Sequence, residues 1–176
     1  MSKIVTVYSL KGGSGKSTIS ILVAQNLKNK GKSVVLLDSD IQQKSTANWA
    51  ENSQGEIDCF LIHNKLTQHD LNAFAEKDFI VIDGTPRTND YVENILALSD
   101  IIFIPVQPTQ LSLSSFLQDN HLSMLKKIKT KKKKIYGLIN GVTYHNLSEC
   151  EDLKSILKKI TARWYLSTRT KKSICN

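Results

Sequence analysis

The sequence predicts an α/β fold: a doubly wound, mostly parallel sheet with helices on both faces. Short apolar runs alternate along the chain with segments of helical periodicity, which is the order of a parallel sheet built from strand–helix–strand units. The runs are apolar at every position, as expected for strands that helices cover on both faces. In such a sheet the ligand site lies at the carboxyl ends of the strands.

The individual elements follow from this pattern. Residues 4–8 are mostly β-branched or aromatic, which is typical of a strand. A helix follows, with Ile19, Leu22, Val23 and Leu27 on one face. Further strands are predicted at 34–37, 79–82, 101–104 and 135–139, and further helices at about 43–52, 66–76, 89–98 and 111–128.

A glycine-rich turn joins the first strand to the first helix. Its residues are Lys11, Gly12, Gly13, Ser14, Gly15, Lys16, Ser17 and Thr18. The turn ends in the Gly-Lys-Ser of a phosphate-binding P-loop, although Leu10 or Lys11 stands where that pattern has its first glycine. Successive N–H groups of such a turn point at one spot beside a helix N-terminus, which favours phosphate. All eight residues are expected to bind the nucleotide, with Lys16 at the β and γ phosphates and Ser17 on Mg²⁺.

Aspartates end two of the predicted strands. Asp83 follows the apolar residues of the strand at 79–82, as a Walker B carboxylate does, and Asp38 ends the run at 34–37. An aspartate after a strand is also common as a turn or N-cap residue. With the P-loop upstream, we expect Asp83 to orient a water on Mg²⁺.

The segment KGGSGKST resembles the deviant Walker A motif of the ParA/MinD ATPases, which are P-loop NTPases. Segments 36–42 (LLDSDIQ), 79–87 (FIVIDGTPR) and 104–109 (IPVQPT) resemble that family in the same order. The resemblance covers roughly residues 3–142. The form DGTPR, in place of the frequent DTPP, is most similar to the small plasmid-encoded ParA-type partition proteins.

The resemblance implies roles for individual residues. Lys11 is expected to cross a dimer interface and touch the nucleotide of the partner subunit, so that Lys11, Lys16 and Asp40 form the catalytic set. Asp38 is expected to support the water shell of Mg²⁺, and Asp40 to position the attacking water. Ile41 replaces the proline of the family, which loosens a φ-restricted turn.

Further positions have two interpretations each. Asn140 resembles the family position that reads the adenine edge, but Asn140-Gly141 also suits a turn. Arg87 is either a contact to phosphate or a partner's acid, or a solvated loop residue. Pro105 and Pro108 either shape the loop over the nucleotide or end a strand.

The composition restricts the class of protein. A chain of 176 residues is expected to form one domain, 1–176, which looks short at its C-terminus beside ParA-type proteins. We expect a cytoplasmic protein, because no apolar run approaches the length of a membrane helix, about 20 residues; the resemblance to ParA implies that it associates with the nucleoid. Cys59, Cys150 and Cys175 predict neither a disulfide framework nor a zinc site, and the four histidines lack metal-ligand spacing.

A lysine run dominates the charge distribution. The net charge is +8, and seven of the nine residues between Lys126 and Lys134 are lysine. Dense lysine without aromatic residues suits DNA phosphates more than bases, although cations also favour a helix C-terminus. The predicted DNA contacts are Lys126, Lys127, Lys129, Lys131, Lys132, Lys133 and Lys134. If the run is only a solvated helix end, the DNA surface is sought in Arg163, Arg169, Lys171 and Lys172.

The last predicted element is a basic amphipathic helix at 149–164. Leu153, Ile156, Leu157, Ile160 and Trp164 have helical spacing there. Packing on the sheet is the expected role. A membrane-binding helix like that of MinD-type proteins is the alternative.

Together these features predict a DNA-partition ATPase that resembles ParA and uses ATP and Mg²⁺. ATP would join two subunits, the dimer would bind DNA nonspecifically, and a centromere-binding ParB-like or small basic partner would stimulate a weak basal hydrolysis. The alternatives are a MinD-like membrane-positioning ATPase and a non-hydrolysing nucleotide-dependent adaptor. A small-molecule kinase or synthetase of the same fold would not need Lys11.

Overall fold

A computed structural model describes residues 2–53, 56–128, 133–142, 150 and 153–155, and the backbone of 163–168. Within these ranges there are seven strands: β1 (Lys3–Val7), β2 (Val34–Asp38), β3 (Cys59–Leu61), β4 (Phe79–Asp83), β5 (Ile101–Val106), β6 (Lys134–Val142) and β7 (Arg163–Thr168). Six helices connect them: α1 (Lys16–Asn29), α2 (Ser45–Asn52), α3 (Gln68–Asn72), α4 (Asp90–Leu98), α5 (Gln110–Phe116) and α6 (Asp119–Ile128).

The strands form one sheet in the order β3-β2-β4-β1-β5-β6-β7. Every neighbouring pair is parallel, so the predicted fold class is confirmed. The chain leaves β1 toward β2 on one side and later returns to β5 on the other side. The carboxyl end of β1 is therefore a switch point of the topology, where a crevice for ligands is expected.

Helices cover both faces of the sheet. On one face, Ala24 of α1 packs with Val5, Leu36 and Val81. On the other face, Ile95 of α4 packs with Ile80 and Ile82. Residues 80 to 82 thus alternate between the two layers, which explains why the strand is apolar throughout.

Two predicted helices are shorter than expected. The prediction at 66–76 is wrong after Asn72, where the backbone tightens into turns such as Phe74 N–H to Leu71 O at 3.1 Å. The single helix at 111–128 is two helices, α5 and α6. The hydroxyls of Ser114 and Ser115 donate to carbonyls one turn back in α5, a contact that weakens and bends helices.

The predicted helix at 149–164 is wrong at its end. Residues 163–168 form β7, which pairs with β6 from Tyr136 to Val142. The apolar residues up to Trp164 have helical spacing, but the segment that begins at residue 163 forms a strand. The open edge of β6 supplies hydrogen-bond partners to this aromatic-rich segment. Cys150 and residues 153–155 are helical, and Leu153 is buried in the core. Strand β3 was not predicted, since its three residues carry too short a pattern.

No helix in the described part of the chain is both long and apolar enough to cross a membrane.

Candidate functional site

The turn between β1 and α1 has the conformation that an anion site requires. Gly13 and Gly15 have φ angles of +73° and +93°, in the left-handed region that residues with a side chain rarely adopt. Helix α1 begins at Lys16, and its first turn, which is described in full, carries no acidic residue. No carboxylate of that turn therefore competes with a phosphate at a helix end whose dipole favours anions.

Asn140 holds this turn from β6. Its Nδ2 donates a hydrogen bond to the carbonyl oxygen of Ser14 at 2.9 Å. A Cβ atom at Gly15 would lie 2.5 Å from the same Nδ2, so a side chain there would displace the Asn140 amide, in addition to being strained by the φ angle. Gly141, with a φ angle of +77°, lies at a register shift inside β6 and not in a chain-reversing turn. The contact of Asn140 with an adenine edge stays a prediction, for which the amide has a further N–H and an acceptor oxygen.

Two buried charges of opposite sign meet at this site. Lys16 is 8% exposed and Asp83 is 1% exposed. Burial lowers the pKa of Lys16, against the opposing attraction of Asp83 and Asp40. Burial raises the pKa of Asp83, against hydrogen bonds from Ser17 and Thr46. Desolvation is the largest cause in both cases, which is typical of a site where a charged ligand offsets the cost of burial.

Hydroxyl groups surround the Asp83 carboxylate. Ser20 Oγ donates to its Oδ1 at 3.2 Å, and Thr46 Oγ1 donates to its Oδ2. Ser39 fixes the end of β4, because its Oγ donates to the main-chain oxygen of Asp83 at 2.7 Å. Sequence reasoning missed these three residues. The one available signal was Ser20, a polar residue one turn after Lys16 in α1.

The oxygen ligands of this site fit Mg²⁺. Among the described residues no group of three or more His, Cys, Asp or Glu could hold a metal ion by itself. Mg²⁺ needs no such cage, because it keeps several waters and binds through one or two protein groups together with the phosphates of its substrate. The groups that would hold it are the Ser17 hydroxyl, which lowers the pKa of Asp83 against the effect of burial, and the Asp83 carboxylate.

Asp38 has a structural position. Its Oδ2 accepts the N–H groups of Thr46 and Ala47, both at 3.1 Å, and its Oδ1 accepts the N–H of Asp40 at 2.9 Å. The side chain is fully buried. Asp38 therefore fixes the start of α2 and the loop that carries Asp40. Its predicted support of the Mg²⁺ water shell stays a prediction.

Asp40 lies in a closed turn at the edge of the site. Its main-chain oxygen accepts the N–H of Lys44 at 2.8 Å, and its Oδ1 accepts the N–H of Gln43 at 3.3 Å. Lys44 has a φ angle of +49°. The turn thus closes without the proline that Ile41 replaces, and Ile41 is 38% exposed. Asp40 is partly exposed, so its carboxylate can accept a hydrogen bond from a water molecule.

Lys11 and Lys16 differ in where their ammonium groups point. Lys16 Nζ donates to the main-chain oxygen of Lys11 at 3.3 Å, inside the turn. Lys11 Nζ donates to Ser112 Oγ of α5 at 3.1 Å. Gln107 adds a second link to the same turn, from its Nε2 to the oxygen of Gly13 at 3.1 Å.

The segment after Asp83 explains its unusual glycine. The N–H of Gly84 donates to the oxygen of Val7 at 2.9 Å, and a Cβ atom at Gly84 would lie 2.7 Å from that oxygen. Arg87 is exposed, while its main-chain oxygen accepts the Tyr8 hydroxyl at 3.0 Å. Burial raises the pKa of Tyr8 to about 12. The structure therefore holds the backbone at Arg87 and leaves the side chain in solvent.

Replacing Gly84 with alanine is expected to destabilise the protein by about 1–3 kcal/mol, the usual cost of forcing an extra methyl group into a packed site. The clash is with the backbone of β1, which cannot move without disturbing the P-loop. Urea unfolding measures the change. The matched control is Gly12→Ala, where a Cβ atom has no neighbour within 4 Å. Equal stability of the two variants would contradict the explanation.

Pro105 and Pro108 lie in different kinds of structure. Pro105 is buried inside β5 and paired with Leu138, so the strand does not end there. Strand β5 pairs with β1 only from residue 101 to residue 103. Pro105, which has no N–H to donate, lies beyond that paired part. Pro108 is buried in the loop that leads to α5.

The lysine run divides between structural and exposed residues. Lys133 Nζ donates to the main-chain oxygens of Leu96, Ala97 and Ser99 at the end of α4, and burial lowers its pKa. Lys133 thus caps a helix C-terminus, and its predicted contact with DNA stays a prediction. Lys127 is bridged to Glu93.

The other lysines of the run are placed as follows. Lys126 and Lys134 are exposed. Lys129, Lys131 and Lys132 lie outside the described residues, as do Arg169, Lys171 and Lys172. Lys134 begins β6 and Arg163 begins β7, at the amino edge of the sheet. The P-loop is at the carboxyl edge, and the six residues of β5 separate the two edges by about 20 Å.

Comparison with known proteins gives one family match and two curated relatives. The CobQ/CobB/MinD/ParA nucleotide-binding domain matches residues 5–165. Protein ParA of Rhizobium radiobacter is 27% identical over 61% of this chain and 50% of its own length. The maintenance of carboxysome distribution protein A of Halothiobacillus neapolitanus is 32% identical over 62% of this chain and 52% of its own length. The chain spans about half the length of these curated relatives.

Solved structures show the same fold. A putative plasmid partition protein from Borrelia burgdorferi bound to AMPPNP has a TM-score of 0.70 at 23% identity, covering 98% of this chain and 86% of that one. Cobyrinic acid a,c-diamide synthase from Mycobacterium smegmatis with ADP and magnesium has a TM-score of 0.69 at 16% identity, over 88% and 82%. The pNOB8 ParA bound to nonspecific DNA has a TM-score of 0.67 at 18% identity, over 90% and 75%. At these identities the likeness establishes the fold alone.

Proposed function

Because the chain belongs to the CobQ/CobB/MinD/ParA family of nucleotide-binding domains, we propose that it is a ParA-type ATPase that acts in DNA partition. The observation that carries this proposal is the meeting of a positive-φ glycine turn with the buried pair Lys16 and Asp83 at the carboxyl edge of the sheet. The names of its relatives, ParA and plasmid partition protein, support the choice within the family. A carboxysome distribution protein among them indicates that cargo varies between relatives.

In this proposal the chain's own residues supply binding and positioning. The N–H groups between Gly13 and Lys16 bind the phosphates, and the Lys16 ammonium neutralises their charge. Ser17 and Asp83 would hold Mg²⁺, which would neutralise further charge of the phosphates. Asp40 orients a water toward the γ phosphate, because its carboxylate is the partly exposed acceptor beside the buried charges.

ATP then joins two subunits through Lys11. Lys11 stands at the start of the turn, in addition to Lys16. It supplies a second ammonium, which the subunit's own phosphate site does not require. The half-buried side chain of Lys11 starts from the same turn that binds the phosphates. In the ATP state we expect it to contact the nucleotide of the second copy, and a ParB-like or small basic partner to stimulate hydrolysis.

The DNA surface is formed by the exposed part of the lysine run. Lys126 and Lys134 are exposed, and Arg163 starts the strand next to Lys134. A net charge of +8 and the DNA complex of the structural neighbour pNOB8 ParA support polyanion binding. Lys133 is left out of this surface, because α4 carbonyls occupy its ammonium.

Replacing Lys126, Lys131, Lys132 and Lys134 together with glutamine is expected to abolish ATP-dependent binding to random-sequence duplex, since each neutralised phosphate releases counterions. The slope of log K against log salt should flatten by about 0.9 for each phosphate that the variant no longer neutralises. Fluorescence anisotropy at several salt concentrations measures both quantities.

Lys133→Gln is the control within the same run: it removes one positive charge at a lysine whose ammonium binds carbonyls of α4. We expect it to lower the temperature of unfolding and to leave the salt slope unchanged. Wild-type affinity and slope in the quadruple variant would remove the lysine run from the DNA surface.

A further inference from the structure

The ammonium of Lys11 is directed into its own subunit. It donates to Ser112 Oγ at 3.1 Å, and Ser112 is 4% exposed. The same Oγ accepts the Thr109 hydroxyl at 2.8 Å, while Thr109 Oγ1 accepts the N–H of Ser112 at 3.2 Å. Ser112 is therefore held by its own backbone and by Thr109, and it presents a fixed acceptor to Lys11.

The contact joins two parts of the chain that both border the phosphate site. Lys11 opens the P-loop, and Ser112 lies in α5, which follows β5. The other link between these parts is the hydrogen bond from Gln107 to the oxygen of Gly13. Ser112 is buried and the lysine stem is flexible, so an ammonium that turns outward to a phosphate of another subunit leaves Ser112.

We propose that Ser112 is a positioning residue for Lys11: its hydroxyl retains the ammonium within the subunit, and pairing of two subunits by ATP requires this hydrogen bond to break. The proposal rests on the function proposed above. Its consequence is that Ser112 raises the ATP concentration at which two copies associate. Breaking the bond also removes one of the two links between the P-loop and the segment from Gln107 to Ser112.

The test compares Ser112→Ala with wild type, first without nucleotide. Lys11 should be acetylated by N-hydroxysuccinimide acetate about fivefold faster in the variant, the ratio that corresponds to one net hydrogen bond of about 1 kcal/mol. Mass spectrometry of the Lys11 peptide gives the rate. The variant is expected to fold, because Thr109 still accepts the N–H of residue 112. Ser112→Thr, which retains the hydroxyl, should restore the wild-type rate.

The second measurement is light scattering with increasing Mg²⁺-ATP. The midpoint of dimer formation should fall about fivefold in Ser112→Ala, for the same reason. Ser114→Ala is the matched control, because Ser114 is an exposed serine of α5 whose hydroxyl donates only to carbonyls of its own helix. Neither the acetylation rate nor the midpoint should change in that control.

The outcomes separate this inference from the proposed function. An unchanged acetylation rate in Ser112→Ala would overturn the contact, whatever ATP does. A faster rate with an unchanged midpoint would overturn the claim that the contact restrains pairing. If wild type does not associate with ATP at any concentration, the proposed dimerisation fails and the positioning role fails with it, while the acetylation rate still reports on the hydrogen bond itself.

Discussion

Replacing Lys16 with alanine is expected to weaken ATP binding by about two orders of magnitude. Its ammonium is the buried cation of the site. Removing a charge-assisted hydrogen bond of about 3 kcal/mol lowers affinity by roughly two orders of magnitude. Isothermal titration with AMPPNP and Mg²⁺ measures the change.

Lys30→Ala is the control for this experiment. Lys30 is exposed at the opposite end of α1, so the variant makes the same change of charge on the same helix without touching the turn. Thermal unfolding of both variants separates loss of binding from loss of fold. A folded Lys16→Ala protein that keeps the wild-type affinity for AMPPNP would show that the phosphates bind elsewhere.

Replacing Asp40 with alanine is expected to slow hydrolysis by about 10²- to 10⁴-fold, the range found when a group that handles the attacking water's proton is removed. ATP binding should be unchanged, because the side chain lies at the edge of the site and acts mainly in the transition state. Phosphate release at saturating ATP gives the rate, and titration with AMPPNP gives the affinity.

Asp40→Asn is the sharper variant. It retains an oxygen that accepts the N–H of Gln43 and therefore the closed turn, but it removes the carboxylate charge. A rate as slow as that of Asp40→Ala assigns the effect to the carboxylate. A wild-type rate in Asp40→Asn would make Asp40 a residue that shapes the turn, and the water would need another acceptor.

The sequence predicted the parts of the site that are contiguous in the chain. The glycine turn and the strand-end Asp83 each have a local pattern, so their meeting at the carboxyl edge followed from the parallel sheet. Ser39 and Thr46 carry no such pattern, and Ser20 carries only its spacing from Lys16, since the contacts of all three with Asp83 depend on how the helices and loops pack. Such hydrogen bonds form between residues that are distant in the chain.

At two positions the structure departs from what the local pattern indicates, for the same physical reason. Lys133 stands in a lysine run, yet it binds carbonyls of α4 that lie about 35 residues earlier. Trp164 has helical spacing with Leu153, yet its backbone pairs with β6. In both cases a partner distant in sequence outweighs the local pattern. Charge density and periodicity describe a segment alone and contain no information about such partners.

The central claim is that this site hydrolyses ATP. Its most direct test is phosphate release by the wild-type protein at saturating Mg²⁺-ATP, with and without random-sequence duplex, against Lys16→Ala in parallel. We expect slow release above the buffer rate, which requires Mg²⁺ and which Lys16→Ala lacks. Wild-type protein that binds ATP but releases no phosphate above the rate of Lys16→Ala, with or without DNA, would contradict it and identify a non-hydrolysing adaptor.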